Sequence, residues 1–130
     1  MKNKPKAGAV IFVKDIEKIS LFYKQILMLS VTYSDLSKVV LETDAFLLTL
    51  HLIPAPIAES ITIIEPPRPR DNIAIKLFFP VNSIAETRAL ATSLGGSINP
   101  SSDEWNTSNF TACDGFDPEG NVFQIRALVS

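Results

Sequence analysis

The chain has 130 residues, of which 46% are hydrophobic and 20% charged, the balance of one globular domain able to bury a core. A formal net charge of −2 supplies no basic footprint and argues against nucleic acid as the main partner. The longest apolar run, Ala45 to Leu52, is broken by Thr49 and His51. It falls short of the ~20 residues a bilayer needs, so no membrane partner is expected.

Lys2, Lys4 and Lys6 form a small basic run, read as a solvated tail. No signal-peptide pattern opens the chain, and the one cysteine, Cys113, allows no internal disulfide. Both points fit a reducing, cytoplasmic setting. Residues 7–13 (Ala-Gly-Ala-Val-Ile-Phe-Val) predict a strand from their β-branched and aromatic content. Gly8, Val10 and Phe12 share one face of it. Asp15 is placed to cap a helix reaching about Leu29, with Ile16, Ile19, Phe22, Tyr23, Ile26 and Leu27 as one apolar stripe. Strands follow at about 30–34, 38–42 and 45–52, separated by turns at Asp35–Ser37 and Thr43–Asp44.

Residues 53–71 differ in kind, because five of the nine prolines fall there. Proline cannot donate to a ladder and breaks helices, which predicts a stiff, extended connection. Ile61, Ile63 and Ile64 give it an apolar patch, suited to an edge strand, a packed crossover or a lid. The pattern then restarts. Residues 72–79 predict a strand with Asn72, Ala74, Lys76 and Phe78 on one face. Asn82 or Ser83 caps a helix that Gly95-Gly96 stops. Strands are expected near 97–99, 107–113 and 121–128. Before the last, Asp117-Pro118 opens a tight turn and Gly120-Asn121 closes it. Val122, Gln124 and Arg126 then share one face, and Phe123 and Ile125 the other.

The result is a single α+β domain over residues 1–130. It divides into one β-α-β-β-β module at about 7–52, the connection at 53–71 and a second module from about 72. Two such modules bury their sheets by pairing around a concave cleft, a natural ligand site. The chain resembles the vicinal oxygen chelate superfamily, which includes glyoxalase I, bleomycin-resistance proteins and extradiol dioxygenases. The residues carrying the likeness are Val13-Lys-Asp15, Leu21-Phe-Tyr-Lys24, Asn72-Ile-Ala-Ile75, Leu94-Gly-Gly96 and Asp117-Pro-Glu-Gly-Asn-Val-Phe-Gln124. The resemblance implies the fold and no particular activity.

It also implies where a divalent metal would be held: at Gly8, His51, Asn72 and Gln124. Glycine offers no ligand, and two of the other positions are amides, which are weak ligands beside imidazole or carboxylate. No metal or other cofactor is therefore expected. Gln124 reads instead as a hydrogen-bonding residue of the cleft. His51, the only histidine, is a candidate ligand contact and the candidate acid/base, although no second catalytic group is spaced to serve it. It reads equally as a satisfied structural residue. Arg126 lies on the face of Gln124 and offers forked donors to an oxyanion; it reads equally as a rim residue in an ion pair. Lys76 is a weaker candidate of the same kind. Phe12, Phe78 and Trp105 are candidate walls for a planar ligand. Cys113 has no basic neighbour in sequence and reads as an inert thiol.

The expected function is metal-independent binding of a small organic molecule, held by His51, Asn72, Gln124 and Arg126 and walled by Phe12 and Trp105. A metal-dependent glyoxalase-like lyase or isomerase, or a dioxygenase, is the first alternative. A dimeric interaction module without turnover is the second. A homodimer is the expected assembly.

Overall fold

The computed structural model describes residues 4–129, so Lys2 of the basic run lies outside the described residues. Helix α1 (Ile16–Leu27) is the element both halves share. Asp15 caps it, accepting from the Lys18 amide at 3.0 Å, and Met28 ends it in the left-handed conformation at φ 53°. It follows strand β1 (Ala7–Val13) and precedes β2 (Ser30–Ser34), β3 (Lys38–Glu42) and β4 (Phe46–Leu52). These four strands form one sheet in the order β1-β4-β3-β2, with β1 parallel to β4 and the other pairs antiparallel. Both predicted turns close through side chains. Asp35 accepts from the amides of Ser37 and Lys38, and Thr43 accepts from those of Ala45 and Phe46. Lys6 is more than a solvated residue, since its ammonium meets Glu42 at 2.6 Å.

The connection carries one short helix, α2 (Ala55–Ala58), and no strand. The second half comprises β5 (Leu77–Pro80), α3 (Ile84–Ser93), β6 (Ser97–Ile98), β7 (Trp105–Asn106), β8 (Phe110–Phe116) and β9 (Val122–Leu128). Its sheet runs β5-β9-β8-β6, with β7 also on β8. Ser83 caps α3, and Gly95 leaves it at φ 91°.

Two expected strands are corrected. The strand expected at 72–79 begins only at Leu77, which pairs with Phe123 of β9. Its one partner starts at Val122, so residues before Lys76 have no ladder to join, and Asn72 turns the chain at φ 54°. The strand expected at 107–113 is split. Thr107 accepts from the amides of Asn109 and Phe110, making a turn between β7 and β8.

The core lies between the backs of the sheets and the helices. Phe22 and Tyr23 of α1 are almost fully buried. Their rings meet Phe123 at 6.0 and 5.6 Å, and Tyr23 meets Phe79 at 6.4 Å. Phe46 meets Phe79 at 5.8 Å. One apolar cluster therefore spans both modules. The turn after β8 locks it. The Glu119 carboxylate accepts from the Lys14 and Asp15 amides at 2.7–3.0 Å, and Asp117 accepts from the Tyr23 hydroxyl at 2.7 Å. Gly120 takes φ 84°, and a Cβ there would stand 2.3 Å from the Arg68 carbonyl oxygen, so a close approach to the connection requires glycine.

Candidate functional site

Packing one face of each sheet against the core leaves the other facing away from it, and the candidate residues other than Asn72 fall on these outer faces, where Gln124 is itself buried at 5% exposure. On the first sheet, Phe12 of β1 stands opposite His51 of β4 in the parallel register, with ring centroids 5.9 Å apart. Lys38 flanks His51 from β3. Phe12 is 61% exposed, and no described side chain hydrogen-bonds the imidazole.

On the second sheet a continuous polar row has formed. Lys76 meets Asp114 at 2.7 Å. The other Asp114 oxygen accepts from the Gln124 amide nitrogen at 3.0 Å. The Gln124 amide oxygen accepts from Nε of Arg126 at 2.7 Å. The Arg126 guanidinium then lies between two rings, 3.6 Å from the centroid of Phe78 and 4.4 Å from that of Phe110. Trp105 extends the aromatic line, meeting Phe110 edge to face at 5.8 Å. The register explains the convergence. Asp114, Gln124 and Phe78 stand side by side on β8, β9 and β5, as do Trp105, Ala112, Arg126 and Pro80 one step on.

Gln124, Arg126, Lys76, Phe78 and Trp105 are thus brought together. His51 and Phe12 form a separate pair on the other sheet. Among the described residues, no hydrogen bond, ion pair or ring contact joins the two groups. Asn72 belongs to neither; it lies exposed ahead of β5, and the residue opposite Gln124 is Phe78. Sequence reasoning passed over Asp114 and Phe110. The signal for Asp114 was available. Counting outward from the Asp117–Asn121 turn, Phe116 pairs with Val122 and Asp114 with Gln124.

Arg126 also stands on the wall of a groove of about 610 Å³, with Phe110, Leu128, Ile26, Met28, Val81 and Leu90 among its lining. Neither His51 nor Gln124 borders it. Cys113 faces the opposite side of β8, buried beneath α3. Burial pushes its thiol up, against the pull of the Arg88 guanidinium at 3.8 Å. That arginine is the basic neighbour sequence spacing did not show. The thiol remains the protonated, inert species expected.

The donor set does not fit the divalent metal that the sequence resemblance implies. A Cβ at Gly8 would stand 2.3 Å from the Leu47 carbonyl oxygen, so that position has no room for a ligand. Gln124 spends its oxygen on Arg126, whose own positive charge opposes a cation beside it. Asp114 is neutralised by Lys76. No group of three His, Cys, Asp or Glu side chains among the described residues could hold a metal ion.

Comparison with known proteins adds the fold's relatives. No family model matches the chain, and no curated protein sequence matches it significantly. Solved structures do match. A glyoxalase/bleomycin resistance protein/dioxygenase family enzyme from Burkholderia phytofirmans PsJN superposes with TM-score 0.71 at 20% identity, over 95% of this chain and 98% of that one. The fosfomycin resistance protein FosX of Listeria monocytogenes gives TM-score 0.66 at 16% identity, over 100% and 94%. A glyoxalase-related enzyme from Fulvimarina pelagi gives 0.64 at 16%, over 96% and 88%. At such identities the likeness speaks for architecture alone, and together with the paired modules it shows that this chain has the fold seen in glyoxalase/bleomycin-resistance/dioxygenase proteins.

Proposed function

We propose that this protein binds a small organic molecule on the open faces of its sheets, without a metal. The observation that carries the reading is the state of Gln124. Its amide is tied on one side to Asp114 and on the other to Arg126, an arrangement that orients donors and repels cations. Gln124 and Arg126 supply polar contacts, His51 supplies another from the first sheet, and Phe12 and Trp105 supply apolar walls. Asn72 stays a candidate contact from the segment leading into β5.

Pairing of two copies belongs to the same proposal. Among the described residues, strands β1 and β5 each have one neighbour, and beside them Val10, Phe12, Ile75 and Phe78 are exposed. A homodimer that covered these edges would bring open faces from two copies together. We place the protein in the cytoplasm, where a lone buried thiol such as Cys113 stays reduced.

The alternative is a metal-dependent lyase, isomerase or dioxygenase. A mutant of FosX has been crystallised with Mn(II) and a dihydroxypropylphosphonic acid, which shows what this fold can carry in another sequence. The donor set here opposes that reading. Two measurements test the proposal. Elemental analysis of protein purified without chelator is expected to give no stoichiometric metal, and near-stoichiometric Mn, Fe, Ni or Zn overturns it. A thermal-shift screen is expected to find small molecules that raise the melting temperature of the native protein and lose their effect in Gln124→Ala or His51→Ala.

A further inference from the structure

Arg126 is anchored and yet unspent. Its Nε is bonded to Gln124, and its guanidinium carbon lies 3.6 and 4.4 Å from the ring centroids of Phe78 and Phe110. Among the described residues no carboxylate or carbonyl accepts from its two terminal nitrogens. An arginine kept merely as a rim ion pair would have an acid for a partner. The nearest acid in the row, Asp114, is engaged by Lys76 and Gln124. Glu86, which shares the groove wall, is not bonded to Arg126. The row of Lys76, Asp114 and Arg126 therefore carries one uncompensated positive charge, at the guanidinium.

The edge left open is the pair of parallel N–H bonds on the terminal nitrogens, which matches the two oxygens of a carboxylate. One compensating charge suits a monoanion better than a phosphate dianion. Phe110 and Arg126 also line the groove of about 610 Å³, whose wall includes Ile26, Val81, Leu90 and Leu128. That volume, mostly apolar, holds the body of a small molecule. We propose that the ligand is a small amphipathic carboxylate, its acid held by the terminal nitrogens of Arg126 and its apolar body lying in the groove. The inference rests on the small-molecule reading above, gives that reading a chemical class, and shifts the ligand's body from the open sheet face to the adjoining groove, with Arg126 common to both.

The test uses the full chain and two matched probes, phenylbutyrate and its neutral counterpart phenylbutyramide, in calorimetric titrations. The acid is expected to bind the native protein at least about tenfold more tightly than the amide. Arg126→Gln is expected to abolish that preference, and Arg126→Lys, which keeps charge without the fork, to lose most of it. Each variant is first checked for a native melting transition, and Arg126→Lys serves alone if Arg126→Gln fails to fold. Leu90→Asp, which puts a negative charge on the groove wall, is expected to weaken the acid. Equal binding of acid and amide to the native protein, or a preference that survives both arginine variants, overturns the proposal. If neutral aromatic compounds stabilise the protein and carboxylates do not, the chemical class is wrong and the binding reading stands. If neither does, both fall.

Discussion

Replacing Tyr23 by Phe removes one oxygen from the middle of the molecule and tests whether the turn after β8 holds the modules together. The Tyr23 hydroxyl donates to Asp117 at 2.7 Å, and the two residues are 1% and 0% exposed. Asp117 keeps three other donors: the side-chain amide of Asn121 and the backbone amides of Glu119 and Asn121. The carboxyl is therefore weakened and not orphaned. A hydrogen bond to a charged group contributes about 1.5–3 kcal/mol net, so the expected loss is about 2 kcal/mol. For a chain of this length that lowers the melting temperature by roughly 6–10 °C. The sign with pH follows from Asp117, whose carboxyl burial pushes above its ordinary value although Asn121 and Tyr23 pull it down. A raised carboxyl contributes most to stability below its unfolded value and loses that contribution as pH rises through its folded value. Deleting a donor that favours the carboxylate pushes Asp117 further up. The Tyr23→Phe deficit should therefore be larger at neutral pH than near pH 3. Chemical denaturation followed by circular dichroism at the two pH values measures this. A deficit under about 0.5 kcal/mol at neutral pH refutes the reasoning, because it is the size of an ordinary surface change.

Glu119→Ala leaves the Lys14 and Asp15 amides without their shared acceptor and should cost about 2–4 kcal/mol in the same assay, with Glu119→Gln costing less because an amide oxygen still accepts. Gly120→Ala, set at φ 84° against the Arg68 carbonyl, should destabilise by about 1–3 kcal/mol, and a neutral result would mean the connection is not held against that turn. Asp35 is held down to about 2 by the Tyr33 hydroxyl and the Ser37 amide, so its carboxyl carbon should titrate near there by NMR. The stability it adds is present above its unfolded value and fades as pH falls towards 2; a midpoint near 4 would show that the β2–β3 turn is not closed in this way.

Much of the architecture was legible because its signals are local. The Asp15 cap, the α1 stripe and the Gly95 stop each need only neighbours in sequence. So does the Asp117–Asn121 turn. The misplaced strands failed for a different reason. Residues 72–75 have the composition of a strand, but a ladder extends only as far as its partner, and β9 begins at Val122. Asn72 was assigned by parity along a strand that is absent there. The site was half legible. Gln124 and Arg126 were chosen for their chemistry and do meet, and Trp105 reaches Arg126 only through Phe110, because β7, β8 and β9 are adjacent. What the residues could not tell was that the Gln124 oxygen is already taken, since that depends on the side-chain geometry of Arg126.

Among the described residues, neither sheet borrows a strand from the other half. One lies within 7–52 and the other within 77–128, and no ladder between described strands crosses the connection. What joins the halves is side chains: Phe22 and Tyr23 against Phe79 and Phe123, and Glu119 against the start of α1. Their docking is in effect a binding reaction between two small proteins on one chain. A half has no chemical means of telling its own partner from the same half of another copy. Only the short tether, by keeping the local concentration high, makes the intramolecular choice. Dilution and a tight connection favour the self-paired monomer, whereas high concentration or a lengthened connection favours exchange of halves between copies.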